Sequence, residues 1–439
     1  MKHIKYIAIA LFCFGNMLGQ TNEVLTKEAA IAQTIQNNFG ISIANNNLEI
    51  ADNNQGILNS GYLPSLTGIA GANYDVQNQD VTFQTGDTNV VDGAETTRYN
   101  ASLNLNYTLF DGLGRYWDYK AFQEEYKVSE LQVRETIETT ILQLFTVYYE
   151  IARITENISV LEETYFNTER RLKRAGYAFE YGQNNKLDVL NAEVDLVTDS
   201  INLLNARQLL ENTKRDLNVI SNLDLERDFN VDTTVVFIPQ LVLENYIKVA
   251  DTMNVRVLQA KKNKTISDYD YKSSKSVYLP TVGLTGSYGW DEGKFPSTSF
   301  ASESISTGLS AGINLSWDLF DGGTGITSVR NAKIAIENQE VLISQIEKEV
   351  DRDILNAQGD YLNRLKIYEL QAQSVTTATN NFERSNEQYK LGQISSVELR
   401  QAQVNLLNTK TNKNLAKYQA KLAELQVLQL AGQLLNVDF

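Results

Sequence analysis

Residues 309–319 alternate without a break: Leu309, Ala311, Ile313, Leu315, Trp317 and Leu319 interleave with Ser310, Gly312, Asn314, Ser316 and Asp318. Period two over that length predicts a β-strand with one apolar face and one face of small or polar residues. Val282, Leu284, Tyr288 and Trp290, set against Thr281, Gly283, Thr285, Ser287 and Gly289, predict its hairpin partner. An earlier segment repeats the pattern, with Leu103, Leu105, Tyr107 and Leu109 against Ser102, Asn104, Asn106 and Thr108. Elsewhere the period changes to three and four. Ile343, Ile346, Val350, Ile354, Ala357, Tyr361, Leu365, Tyr368, Ala372, Val375, Ala378 and Phe382 trace one packing seam of coiled-coil type. Neither Gly nor Pro occurs from Arg115 to Ala175 or from Gln393 to Ala431, and all four prolines lie outside the long helical stretches. Helices of about 65 residues reach on the order of 100 Å, far more than a compact domain needs.

The chain is written twice. Tyr62-Leu63-Pro64 recurs as Tyr278-Leu279-Pro280, and Leu109-Phe110-Asp111-Gly112 as Leu319-Phe320-Asp321-Gly322. Tyr181-Gly182-Gln183 recurs as Leu391-Gly392-Gln393, and Ala192 with Val194 as Ala402 with Val404. The last three matches share an offset of 210 residues (Leu319 against Leu109, Gly392 against Gly182). Two copies of one structural unit follow. The expected boundaries are a first copy over 20–222, with a β-hairpin at about 62–111 and a helical hairpin turning near 182. A second copy covers 241–439, with a β-hairpin at about 278–321 and a turn near 392. Residues 223–240 form a connector, acidic at first and β-like through Val235-Val236-Phe237-Ile238. It either packs around the waist of the helices or is a plain linker.

Composition narrows the function. Lys2 and Lys5 precede an apolar run from Tyr6 to Phe14, ending in Met17-Leu18-Gly19, which predicts a signal peptide over 1–19. Phe12 is too bulky to make Cys13 a lipidation site. Cleavage removes the only Cys and the only His, and takes the formal net charge from −15 to −17. Cysteine or histidine metal sites, thiol nucleophiles and Ser-His-Asp triads are then excluded. Such an acidic chain repels nucleic acid. No catalytic constellation is visible, so an enzyme is not expected; a carboxylate-pair hydrolase is the remaining enzymatic alternative. No cofactor or metal is expected.

The strand pattern also fits a soluble sandwich with one wet face. Strands of about ten residues, terminal aromatics and long polar joining segments favour an outer-membrane barrel. Two hairpins supply four strands, and four cannot close a barrel in lipid, where membrane barrels begin at about eight strands. Several protomers must share one barrel. Its inward face of Gly, Ser, Thr and Asn would hold water, and the helices would continue the duct into the periplasm. The alternative is a non-conducting coiled-coil spacer anchored in the outer membrane, whose strands would fill that face with large apolar groups.

In the order and duplication of these motifs the chain resembles the TolC-like outer membrane efflux proteins. The carriers are the two Tyr-Leu-Pro segments, the two Leu-Phe-Asp-Gly segments and the tip pattern of Tyr389, Gly392, Glu398, Ala402 and Val404, echoed at Gly182, Asp188, Ala192 and Val194. The resemblance covers essentially the whole mature chain. It implies a homotrimer, a twelve-stranded barrel in outer-membrane lipid and a periplasmic helical tunnel. It also implies a periplasmic adaptor and an inner-membrane transporter, for efflux or type I secretion.

The same resemblance implies roles near the tips. Asp188 and Glu398, each six residues after a tip glycine, form acidic rings at the periplasmic mouth, or else serve the helix macrodipole. Asp195 extends the ring or sits on a solvated helix face. Tyr389 matches a constriction position. Tyr181, Gly182, Leu391, Gly392 and Gln393 form the surface an adaptor meets, with both glycines expected at positive φ. Ile394 and Gln401 stand where some relatives carry a gate arginine and a second acid, which argues against a strongly salt-bridged gate.

Overall fold

The alternating segments form strands and the seamed segments form helices, in an order that repeats. The structure is a computed structural model and describes residues 24–437; the expected signal peptide, with His3 and Cys13, lies outside the described residues. In chain order the elements are β1 (Val24–Leu25), α1 (Lys27–Asn37), α2 (Phe39–Gln55), β2 (Ser65–Thr82), β3 (Thr88–Asp111), α3 (Gly114–Glu180) and α4 (Lys186–Ile220). Then come β4 (Asn230–Val231), α5 (Gln240–Lys248), α6 (Ala250–Met253), α7 (Val255–Ser274), β5 (Thr281–Lys294), β6 (Glu303–Ser316), α8 (Thr324–Lys390) and α9 (Ser396–Leu430). Two compact units divide the chain. A strand-bearing unit takes Asn47–Glu130 and Gln259–Ser344, and a helical unit takes the chain up to Asn46, Leu131–Leu258 and the chain from Gln345 onward. Each unit draws on both copies of the sequence.

In the strand-bearing unit β2, β3, β5 and β6 form one antiparallel sheet in that order. Register places Gly68, Leu103, Tyr288 and Leu309 in one row across the sheet, and Thr67, Asn104, Ser287 and Ser310 in the row beside it. Because side chains alternate, those rows face opposite ways. Ser287, Gly289, Ser306, Gly308 and Ser310 help line an open polar depression of about 380 Å³. The strands are 14 to 24 residues long rather than about ten. Polar positions such as Asp75, paired with Thr96, extend the ladder, since backbone hydrogen bonds need no apolar side chain. The joining segments are correspondingly short, residues 83–87 and 295–302. At the other end β6 stops at Ser316, opposite Thr281 where β5 begins. Residues 317–320, expected to continue the strand, have no ladder partner there, although the Trp317 indole N–H donates to the Tyr278 carbonyl (3.3 Å), and Leu319 and Phe320 are exposed.

The repeated Phe-Asp-Gly joins strand to helix. Asp111 Oδ2 accepts from the Arg115 backbone N–H (3.0 Å) and from Arg115 Nε (2.8 Å), capping α3. Asp321 does the same for α8, accepting from the Gly323 and Gly325 N–H groups at 2.9 and 2.6 Å. Gly112 has φ +71°, and a Cβ there would lie 2.7 Å from the Ser276 carbonyl oxygen. Only glycine fits.

In the helical unit α3 from Leu131 onward pairs with α4, and α8 from Gln345 onward with α9, as the two hairpins. At 67 residues each, α3 and α8 contain about 100 Å of helix. The core gathers Leu144, Phe145, Tyr148 and Tyr149 of α3, Leu217 of α4, Tyr361 of α8, and Tyr418, Leu425 and Leu428 of α9. The seam expected on α8 is buried at Val350, Ile354, Ala357 and Tyr361. Residues 223–240 pack against this core. Their strand is Asn230–Val231, parallel to Val24–Leu25, rather than 235–238. There the backbone is claimed by side chains instead: Ile238 N–H donates to Glu424 (2.9 Å) and Lys421 Nζ donates to the Val236 carbonyl (2.8 Å). Tyr148 ties the two short strands, its hydroxyl donating to the Leu25 carbonyl (2.8 Å) and accepting from Asp232 N–H (3.0 Å).

Candidate functional site at the hairpin tips

Both hairpins turn by the same local chemistry. Gly182 N–H donates to Phe179 O and Gln183 N–H to Ala178 O, at 2.9 and 2.7 Å. In the second copy Gly392 N–H donates to Tyr389 O and Gln393 N–H to Gln388 O, at 3.0 and 2.9 Å. This is the Schellman ending, and it requires the observed φ of +70° and +72° at the glycines. No atom lies within 4 Å of a Cβ at either glycine, so backbone conformation alone selects the residue. Tyr181 and Leu391 are 79% and 71% exposed, two apolar side chains open to solvent at the tips.

The helices leaving the tips start differently. Ser395 caps α9 in a full capping box: its hydroxyl accepts from Glu398 N–H (3.3 Å), and Glu398 Oε2 accepts from Ser395 N–H and hydroxyl (2.8 Å each). Those bonds, the backbone one foremost, hold the Glu398 carboxyl below the usual carboxylate range. Asn185 caps α4 by accepting from Asp188 N–H (3.1 Å). Among the described residues Asp188 makes no bond back to its cap. Its carboxylate is therefore the less committed of the two.

A cleft of about 380 Å³ opens between the tips, lined by Asp188, Tyr389, Leu391 and Gly392 together with Arg174 and Ile394. It brings together four of the expected site residues, Asp188, Tyr389, Leu391 and Gly392, beside Ile394. Glu398, Asp195 and Tyr181 are not among its lining residues. The Arg174 guanidinium lies 5.6 Å from the Tyr389 ring centroid and donates to the Lys390 carbonyl (2.7 Å), linking α3 to α8.

Farther along the hairpins a buried polar cluster joins the two copies. Arg400 of α9 donates with both terminal nitrogens to Asp199 of α4, at 2.8 Å each. Asp199, 2% exposed, also accepts from Thr168 (2.7 Å). Asp195 is half-buried and paired with Arg171 of α3 and with Arg400 (3.5 Å). Gln403 donates to the Thr164 carbonyl and the Thr168 hydroxyl, at 2.9 Å each. Burial opposes the charge on Arg400, but the Asp199 bond and the two aspartate charges outweigh it and raise its pKa. The hairpins are thus strongly salt-bridged, though not by residues at 394 and 401.

Sequence reasoning missed Arg171, Arg400 and Asp199. Their positions in the other copy, 210 residues away, hold Asn381, Leu190 and Thr409. Residues present in one copy only carry no repeat signal. The spacing of Asp195 and Asp199, one helical turn apart, was the available clue. No group of three or more His, Cys, Asp or Glu among the described residues could hold a metal ion. No helix among them is long and apolar enough to cross a membrane.

The model of the family described as outer membrane efflux protein matches residues 30–222 and 248–433. The chain is 20% identical over 431 residues to the outer membrane efflux protein BepC of Brucella suis, covering 98% of this chain and 90% of that protein. It is 21% identical over 357 residues to the outer membrane protein TolC of Escherichia coli, covering 79% of this chain and 72% of that protein. Among solved structures, the Campylobacter jejuni CmeC outer membrane channel superposes with a TM-score of 0.74 at 19% identity, covering 93% of this chain and 86% of that one. The open state of the Neisseria gonorrhoeae MtrE outer membrane channel gives 0.70 at 17%, covering 93% and 89%. With both copies matched and the fold shared along nearly the full length, the chain belongs to the outer membrane efflux protein family, a family of outer-membrane channels.

Proposed function

We propose that three copies of this chain close one twelve-stranded barrel and form an export duct fed by a periplasmic adaptor and an inner-membrane transporter. The observation that carries this reading is the four-stranded sheet, in which β2 and β6 are hydrogen-bonded on one side only. Lipid does not tolerate such edges, so they must pair with further copies. The row containing Leu103, Tyr288 and Leu309 suits contact with outer-membrane lipid, and the small polar row suits a wet lumen. No catalysis and no nucleic-acid binding are assigned to it.

In this reading the tips are the gate and the docking surface. Asp188 and Tyr389 line the periplasmic constriction, with Glu398 contributing chiefly to helix capping. Asp195, held by Arg171 and Arg400, acts as part of a clamp between hairpins. The exposed Tyr181 and Leu391, with Gly182, Gly392 and Gln393, meet the adaptor. Mass measurement of the detergent-purified protein tests the assembly, and three chains per particle are expected. Reconstitution in a planar bilayer tests the lumen. A stable folded monomer overturns the shared barrel, and a silent bilayer from an intact trimer favours the non-conducting spacer.

A further inference from the structure

Adjoining the tip cleft, with which it shares Arg174, Tyr389 and Lys390, a second cavity of about 200 Å³ lies among α3, α8 and the start of α9, and its charged lining is all basic. Arg170, Arg171 and Arg174 of α3 line it, with Lys390 and Asn386 of α8, and no carboxylate is among the lining residues. Arg171 is 5% exposed. Its terminal nitrogens are used by Asp195 and by the Ser396 carbonyl, which leaves its Nε–H buried without an acceptor. The guanidinium as a whole is paired, but this buried Nε–H is one acceptor short, a need that a water or an anion in the cavity would meet. Among the described residues, neither Arg170 nor Arg174 pairs with a carboxylate: Arg170 bonds Asn167 and Arg174 bonds the Lys390 carbonyl. Lys390 pairs with Glu387 (2.6 Å), and Asp195 is shared between Arg171 and Arg400. Positive charge is therefore in local excess, inside a protein whose net charge is −15.

We infer that this cavity is a binding site for a small tetrahedral oxyanion of the phosphate or sulfate class, bridging α3 to α8 within one chain. Guanidinium groups match such an anion through paired N–H bonds, and Lys390 adds a point charge. The volume is that of about seven waters at liquid density, room for one oxyanion and a few waters but not for a large solute. Bound there, the anion supplies the acceptor that Arg171 Nε lacks and ties the end of the first hairpin to the second. The site lies within the helical unit and does not depend on the number of copies or on a conducting lumen.

The test is titration of inorganic phosphate into the full-length detergent-purified protein by calorimetry, with ionic strength and pH held constant by exchanging chloride. A saturable isotherm with one site per chain is expected, with sulfate competing and acetate not. Arg170→Gln and Lys390→Gln, both at exposed positions, are each expected to weaken phosphate binding about tenfold, the loss of one charge-assisted hydrogen bond. Their unfolding midpoints without phosphate should match the parent, which separates lost binding from lost folding. Heats that never saturate, or isotherms unchanged in both variants, overturn the site. Acetate binding as tightly as phosphate overturns the assignment to tetrahedral oxyanions.

Discussion

Arg400 spans the two hairpins to meet Asp199 with both terminal guanidinium nitrogens, each at 2.8 Å. Asp199 is buried and keeps only the Thr168 hydroxyl if Arg400 is shortened. Breaking a buried pair from one side strands the other charge, a loss of about 3 kcal/mol. Arg400→Gln should therefore lower the unfolding midpoint and, if the cluster is the clamp proposed above, raise the open probability in bilayers. Unchanged conductance with lowered stability would make the cluster structural only.

Glu398 gives a pH dependence of known sign. Its capping bonds lower the folded-state pKa from the ordinary 4.5, so its contribution is present above that value and lost as pH falls through the depressed one. Amide exchange in the first turn of α9 should accelerate, relative to the intrinsic rate, as pH drops below about 4.5. Glu398→Gln should flatten that response. An identical profile in the variant would remove the carboxylate from the cap.

The tips should also separate charge from capping. Asp188 lines the cleft and returns no bond to its cap, whereas Glu398 is committed to Ser395. Block of conductance by multivalent cations from the periplasmic side should weaken sharply in Asp188→Asn and little in Glu398→Gln. Equal effects would restore a ring made by both.

At Gly392 the surrounding space is open and only φ, +72°, is restrictive. Gly392→Ala should cost about 1 kcal/mol through the left-handed backbone alone, with a β-branched residue costing more. Gly182 should behave alike. Export should suffer while assembly in the membrane persists, measured as transport against trimer yield. Full export in Gly392→Val would count against the tip as a docking surface.

The sheet offers a neighbouring pair as a control. Leu309 belongs to the apolar row and Ser310 to the polar one. Leu309→Lys on a lipid face should cost about 2 kcal/mol and reduce trimer yield, whereas Ser310→Lys should leave assembly intact and shift ion selectivity. Equal tolerance at both positions would contradict the assignment of faces.

What could be read from sequence was what is periodic. Alternation at 282–290 and 309–316 located β5 and β6, the absence of Gly and Pro located α3 and α9, and the seam of threes and fours located α8, which carries Gly325 and Gly359. The repeated Gly182 and Gly392 located both turns. Strand length was underestimated because polar residues such as Asp75 pair through the backbone. The strand expected at 235–238 lies instead at 230–231, because Glu424 and Lys421, nearly two hundred residues away, satisfy the later segment. The ion cluster was illegible for a related reason: which Asp meets which Arg depends on how two distant helices pack.

Linking two copies into one chain also releases them from symmetry. In a ring of identical hairpins, an arginine placed to reach its neighbour's aspartate must appear in every hairpin, beside that hairpin's own aspartate. Here the second copy carries Arg400 where the first has Leu190, and the first carries Asp199 where the second has Thr409. The halves behave as lock and key, each free to mutate its side of the contact without altering the other, so closure between them can be tuned separately from closure between chains.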